Sequence, residues 1–180
     1  MRARGFTLIE LLIAMAIFAF LIMLAGPMYG DFMANSQIRN AAENTLSGVR
    51  FAQTVAIKNN KPAKFVIDPA QPDGGWAVYL FDDEAGAFDN LNAAQSYQWK
   101  EGASRVDVTP QPPGATRVTF NGLGRVVAND DATNPLTGID ITNPSIATPR
   151  SLHIIVSAPG NSGTKLCDYA VSPPDPRACT

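Results

Sequence analysis

The sequence predicts an α+β protein: a long N-terminal helix, first membrane-spanning and then amphipathic, packed on an antiparallel β-sheet domain. Three observations predict this. From Phe6 to Ala25 the chain runs 20 residues with a single charge, Glu10. Between residues 30 and 61 apolar residues recur at spacings of three and four, the signature of one buried helix face. After Pro62 the period falls to two, in short runs punctuated by Pro, Gly, Asn and Asp.

The first apolar run is long enough to cross a bilayer, because 20 helical residues at about 1.5 Å each match a hydrocarbon core of roughly 30 Å. Ahead of it lies a leader, residues 1–5, whose Arg2 and Arg4 hold that end on the cytoplasmic side and send the rest across. A secretory signal would end in a small-residue cleavage site and be lost, and Gly26-Pro27 resembles one. The run is longer than a signal core, however, and it holds a carboxylate. A lone carboxylate in hydrocarbon costs about 3 kcal/mol, which marks Glu10 as a functional candidate.

Within the amphipathic stretch Ile38, Ala42, Leu46, Val49, Ala52 and Ala56 form one stripe, with Arg39, Glu43 and Arg50 on other faces. Pro27 predicts a break in the helix, since proline removes a backbone donor and crowds the preceding turn. Lys58 and Lys61 suit the negative end of the helix dipole, and Pro62 stops the helix.

Residues 62–180 then read as a β-rich globular domain. Phe65-Val66-Ile67 and Trp76 to Phe81 flank a turn and predict a hairpin. Val106 to Val108, Arg117 to Phe120, Gly124 to Val127, Leu152 to Val156 and Lys165 to Cys167 read as further strands. The acidic run Asp82-Asp83-Glu84 lacks the ligand spacing of a calcium loop and reads as a solvated turn. Residues 129–150, rich in Asn, Asp, Thr and Pro, read as a long loop and a candidate contact surface. His153, the single histidine, falls in an apolar run with no nucleophile at a telling spacing and reads as a structural residue.

Cys167 and Cys179 are the only cysteines. Two cysteines also make half a metal site, but no histidine or third cysteine is near them. In an exported chain the pair predicts a disulfide. No phosphate-binding glycine loop, metal-ligand cluster or nucleophile elbow is evident, so neither an enzyme nor a cofactor is expected.

The stretch Gly5-Phe6-Thr7-Leu8-Ile9-Glu10 with its retained apolar run resembles the class III leader of type IV pilins and type II secretion pseudopilins. The resemblance implies that a prepilin peptidase cuts between Gly5 and Phe6 and methylates the new amine of Phe6. It further implies that residues 6–29 serve first as a membrane anchor and later as filament core. Glu10 then pairs with the N-terminal amine of a neighbouring subunit, which gives a buried carboxylate the partner it needs. A second resemblance runs from Val49 to Asn60 and through Val118-Thr119-Phe120-Asn121-Gly122-Leu123-Gly124-Arg125-Val126. Both segments are similar to the branch containing the H-type pseudopilins and the FimT/FimU-type minor pilins, although this chain has Gln53-Thr54-Val55 where the branch carries Arg-Ser-Glu.

The resemblance implies a structural subunit at the bacterial inner membrane, single-pass, with its globular domain periplasmic before it enters a filament. Its implied partners are other minor and major pilins or pseudopilins and the inner-membrane assembly platform. Two rival expectations are a DNA-binding minor pilin and an anchored periplasmic binding module. DNA-binding members of the branch carry a C-terminal Gly-Arg-x-Arg element, and the matching place here reads Gly163-Thr164-Lys165-Leu166. That leaves Lys165 and Arg177 as the candidate DNA contacts. From residue 63 onward 8 Lys and Arg face 13 Asp and Glu, a net charge of −5 that repels a polyanion, so nucleic acid is an unfavoured partner.

Overall fold

The computed structural model describes residues 6–68, 74–156 and 163–179, without the side chains of residues 24–28. Helix α1 spans Leu8–Asn59 and is about 78 Å long at 1.5 Å per residue. It ends where Asn60 adopts the left-handed conformation, φ 50° and ψ 37°, a backbone that asparagine tolerates at a C-cap. The helix assignment continues through position 27. The break expected at Pro27 falls on side chains outside the described residues. The expected span 6–29 also falls partly on them, and among the described residues no helix is long and apolar enough to cross a membrane.

Among the described residues ten strands follow: β1 (Ala63–Ile67), β2 (Gly75–Asp82), β3 (Ala87–Phe88), β4 (Gln95–Gln98), β5 (Asp107–Gln111), β6 (Arg117–Phe120), β7 (Val126–Val127), β8 (Gly138–Thr142), β9 (Leu152–Ile155) and β10 (Lys165–Asp168). They make two antiparallel sheets. The first has the order β3-β2-β1-β6-β7, with β4 also paired to β2, and the second has the order β10-β9-β8-β5. The expected hairpin is present, with Phe65 opposite Val78 and Ile67 opposite Trp76.

One expectation is corrected. The stretch 129–150 is not one long loop, because Gly138–Thr142 forms a strand between β5 and β9. Its residues alternate in the β period, with Ile139 and Ile141 fully buried and Asp140 on the other face. The turn chemistry around it masked that alternation. Beyond the solvated acidic turn, β3, β4 and a 3-10 turn at Trp99–Glu101 also form, and Trp99 enters the core.

Both sheets share one core under the second half of α1. Ile38, Ala42, Leu46, Val49, Ala52 and Ala56, the stripe read from spacing, are all buried there, joined by Ala41. Small residues let the helix lie close to the sheets. At Gly48 an added Cβ would come within 2.8 Å of the Trp76 ring. The N-terminal end of this half meets the second sheet, where Asn35 Oδ1 accepts from the Arg150 backbone N–H at 3.0 Å and Gln37 Oε1 from Asn143 at 3.3 Å. Its far end meets the first sheet, where Gln53 donates to the Gly124 carbonyl at 2.8 Å.

A buried charge ties the loop after β7 to the first sheet. Lys64 is 3% exposed, with its ammonium 2.8 Å from Asp130 Oδ2 and 4.4 Å from the centre of the Phe88 ring. Arg117 holds Asp131 at 2.8 Å beside it.

Candidate assembly surface

The start of α1 is built by a capping box. Thr7 has extended backbone, its hydroxyl accepts from the Glu10 N–H at 3.3 Å, and the Glu10 carboxylate accepts from the Thr7 N–H at 3.2 Å. The Thr7 hydroxyl also donates to Glu10 Oε2 at 3.1 Å. Glu10 therefore stands in the first turn, where the dipole favours a negative charge. The Thr7 N–H that it caps directly follows Phe6, whose nitrogen the expected cut would expose. Gly5, on the other side of the expected cut, lies outside the described residues. The capping box was legible as Thr-x-x-Glu before an apolar run, a second reading of the same four residues.

From Phe6 to Met23 every large apolar side chain is exposed, and so are Tyr29 and Phe32. A helix that is apolar all round is stable only when something apolar surrounds it. A continuous patch of this size far exceeds what a monomeric soluble surface carries. Its chemistry fits hydrocarbon or a bundle of similar helices, with Glu10 as the one group needing a polar partner.

The other expected site residues gather at the opposite end of the sequence. Cys167 and Cys179 are bonded, with S–S 2.07 Å, and the bridge folds the C-terminal segment along β10. There the Asp168 N–H donates to the Arg177 carbonyl at 2.8 Å, which covers the outer edge of that strand. Lys165 Nζ donates to the Ala178 carbonyl at 3.1 Å. The Arg177 guanidinium reaches Asp175 through Nε at 3.1 Å and Nη2 at 2.8 Å. This contact holds the Asp175 carboxyl down to about 2. Both candidate DNA contacts are thus engaged within their own loop.

Sequence reasoning missed a polar cluster on the outer face of the second sheet. Asp140 accepts from the Tyr169 hydroxyl at 2.9 Å and from Gln111 Nε2 at 3.0 Å, and His153 Nδ1 lies 2.7 Å away. Burial pushes the Asp140 carboxyl up, but the hydrogen bonds from Tyr169, His153 and Gln111 outweigh it and hold the group below its ordinary value. The cluster gives His153 the structural partner expected of it. Among the described residues no group of three His, Cys, Asp or Glu is placed to hold a metal ion.

The chain matches two known families. The profile described as Type II transport protein GspH covers residues 41–160, and the prokaryotic N-terminal methylation motif covers residues 1–26. Among curated proteins none matches. The fold is similar to the crystal structure of the type IV minor pilin FimU from Pseudomonas aeruginosa. The TM-score is 0.54 at 13% identity, over 79% of this chain and 97% of that one.

Proposed function

Because the chain belongs to the GspH family of the pilin and pseudopilin superfamily, we propose that it is a minor pilin that joins or primes a type IV pilus at the inner membrane. The type II secretion pseudopilus is the other assembly of this kind. One observation carries the reading: an uncovered apolar helix with a single carboxylate in its first turn, directly after a Gly5-Phe6 junction. Such a helix needs a bilayer before assembly and neighbouring helices after it. The carboxylate gives it a polar contact to make with the next subunit. The described fold neighbour is a type IV minor pilin, which favours the pilus of the two machines.

On this reading prepilin peptidase cuts before Phe6 and methylates its amine. The mature chain waits as a single-pass inner-membrane protein with its β domain in the periplasm. Glu10 then docks on the amine of a neighbouring subunit at the assembly platform, and Pro27 lets the helix loosen as it packs. The experiment is mass analysis of sheared filaments and membranes. Mature chain starting at a methylated Phe6 and co-purifying with pilin is the expected result. A chain that keeps Met1, or one cut near Tyr29, overturns the proposal.

A further inference from the structure

Beside the helix, on the side of the second sheet, lies a cleft of about 680 Å³ with an unusual order of polarity. Its apolar lining is Phe32, Leu152 and Leu166, and three arginines, Arg39, Arg150 and Arg177, also line it. Phe32 continues downward into the exposed Tyr29 and the apolar run below it. Arg150 is held at the level of Asn35 by its backbone N–H, and its Nε lies 2.6 Å from Asp168, which also lines the cleft. Arg39 lies one turn beyond Asn35, and no hydrogen bond or ion pair is found for it among the described residues. Helical side chains lean toward the N-terminus, so the Arg39 guanidinium reaches down toward the apolar end. Glu43, the remaining acid of the lining, stands a further turn away from that end.

We propose that this cleft seats the headgroup of an anionic phospholipid from the membrane in which α1 is anchored, and so holds the β domain against the bilayer surface. The inference rests on the membrane-anchored reading above. Phe32 lies seven residues past Ala25, about 10 Å along the axis, next to the headgroup layer that adds roughly 5–8 Å on each side of a bilayer core. Tyr29 and Phe32 are the aromatic residues that such an interface selects. A ligand entering from below meets Phe32 first and the level of Arg150 and Arg39 next, which is the order of polarity in a phospholipid. A soluble anion has no use for the apolar part. The domain as a whole is acidic, and of the lining arginines Arg150 is paired with Asp168 and Arg177 with Asp175, which leaves Arg39 as the cation to meet the headgroup.

The test uses the full chain, purified in neutral detergent and titrated with phosphatidylglycerol or phosphatidylcholine, with bound lipid counted by native mass spectrometry. One arginine near an anionic surface corresponds to about a fivefold preference, so phosphatidylglycerol should bind at least about fivefold tighter. Arg39→Glu, a surface change, should remove the preference, while Arg125→Glu, the same charge change at the distal turn, should leave it. Equal binding of the two lipids, or equal loss in both variants, overturns the inference. So does displacement of the lipid by an equal concentration of glycerol 3-phosphate, which would make the site one for soluble phosphates. Dimers that vanish with Arg39→Glu would assign the cleft to a second copy and overturn it too. Alkaline extraction of membranes is run in parallel. A chain that is released shows the anchored reading itself to be wrong, whereas one that is retained without lipid preference removes the cleft inference alone.

Discussion

On the proposed reading Glu10 has two physical jobs, which glutamine and alanine separate. Its carboxylate caps the Thr7 N–H within the chain, and its charge is the only one available to a neighbour in the apolar run. Glutamine caps nearly as well as glutamate but carries no charge. Glu10→Gln should therefore keep the helix start and membrane anchoring and still lose filament incorporation. Glu10→Ala should lose incorporation as well as roughly 1 kcal/mol of capping. Pull-down with sheared filaments, in cells lacking the wild-type copy, checks both. Normal incorporation of the glutamine form would remove the charge-pairing role. Gly48 makes a second residue-scale case. Gly→Ala in a helix interior ordinarily stabilises by up to about 1 kcal/mol. Here the new methyl would sit 2.8 Å from the Trp76 ring, which is packed rather than free to swing away. Gly48→Ala should instead destabilise by about 1–3 kcal/mol, the usual cost of overpacking, as read by urea denaturation.

Among the elements, the C-terminal segment is held through ionised carboxylates, Asp175 within it and Asp140 on β8. Asp175 is held down to about 2 by Arg177, and Asp140 is held below its ordinary value by the bonds that outweigh its burial. A carboxyl depressed in the folded state contributes stability above its unfolded value of about 3.9, and that contribution is lost as pH falls through the folded value. Between pH 4 and 2 the segment should therefore loosen from β8 and β10, while the disulfide keeps it attached. Thermal melts at pH 6, 4 and 2.5 should show a fall that is shallower in Asp140→Asn and Asp175→Asn. Parallel curves for all three proteins would mean that other groups drive the acid transition.

At the scale of the whole molecule, charge decides between a structural and a DNA-binding role. The β region is at net −5, and the two cations placed nearest the expected DNA element, Lys165 and Arg177, are already engaged at Ala178 and Asp175. Two phosphate contacts give a salt slope of only about two. The fragment 31–180 should therefore show no DNA binding tighter than roughly 10⁻⁴ M at physiological salt. A micromolar constant in a gel-shift titration, weakened by Lys165→Ala, would reverse this and favour DNA uptake.

What the sequence determined by itself was local in origin. The unbroken apolar run, the stripe from Ile38 to Ala56 and the alternation of Phe65 to Ile67 each depend on neighbours a few residues away. Periodicity reads such neighbours directly. Glu10 and the cysteine pair were legible for a related reason, being single exceptions in uniform surroundings. The β8 alternation at Gly138–Thr142 was equally present, but Asn, Pro and Thr on both sides made it resemble loop. Only the tertiary structure decided that β5 leaves the first sheet for the second between β4 and β6, that Asp140 meets Tyr169 across 29 residues, and that Arg150 comes to rest beside Asn35. These contacts join distant parts of the chain, and their stability comes from the shared core under α1 rather than from any local preference. The cleft belongs to the same class, since its helix side and its sheet side are more than a hundred residues apart in sequence.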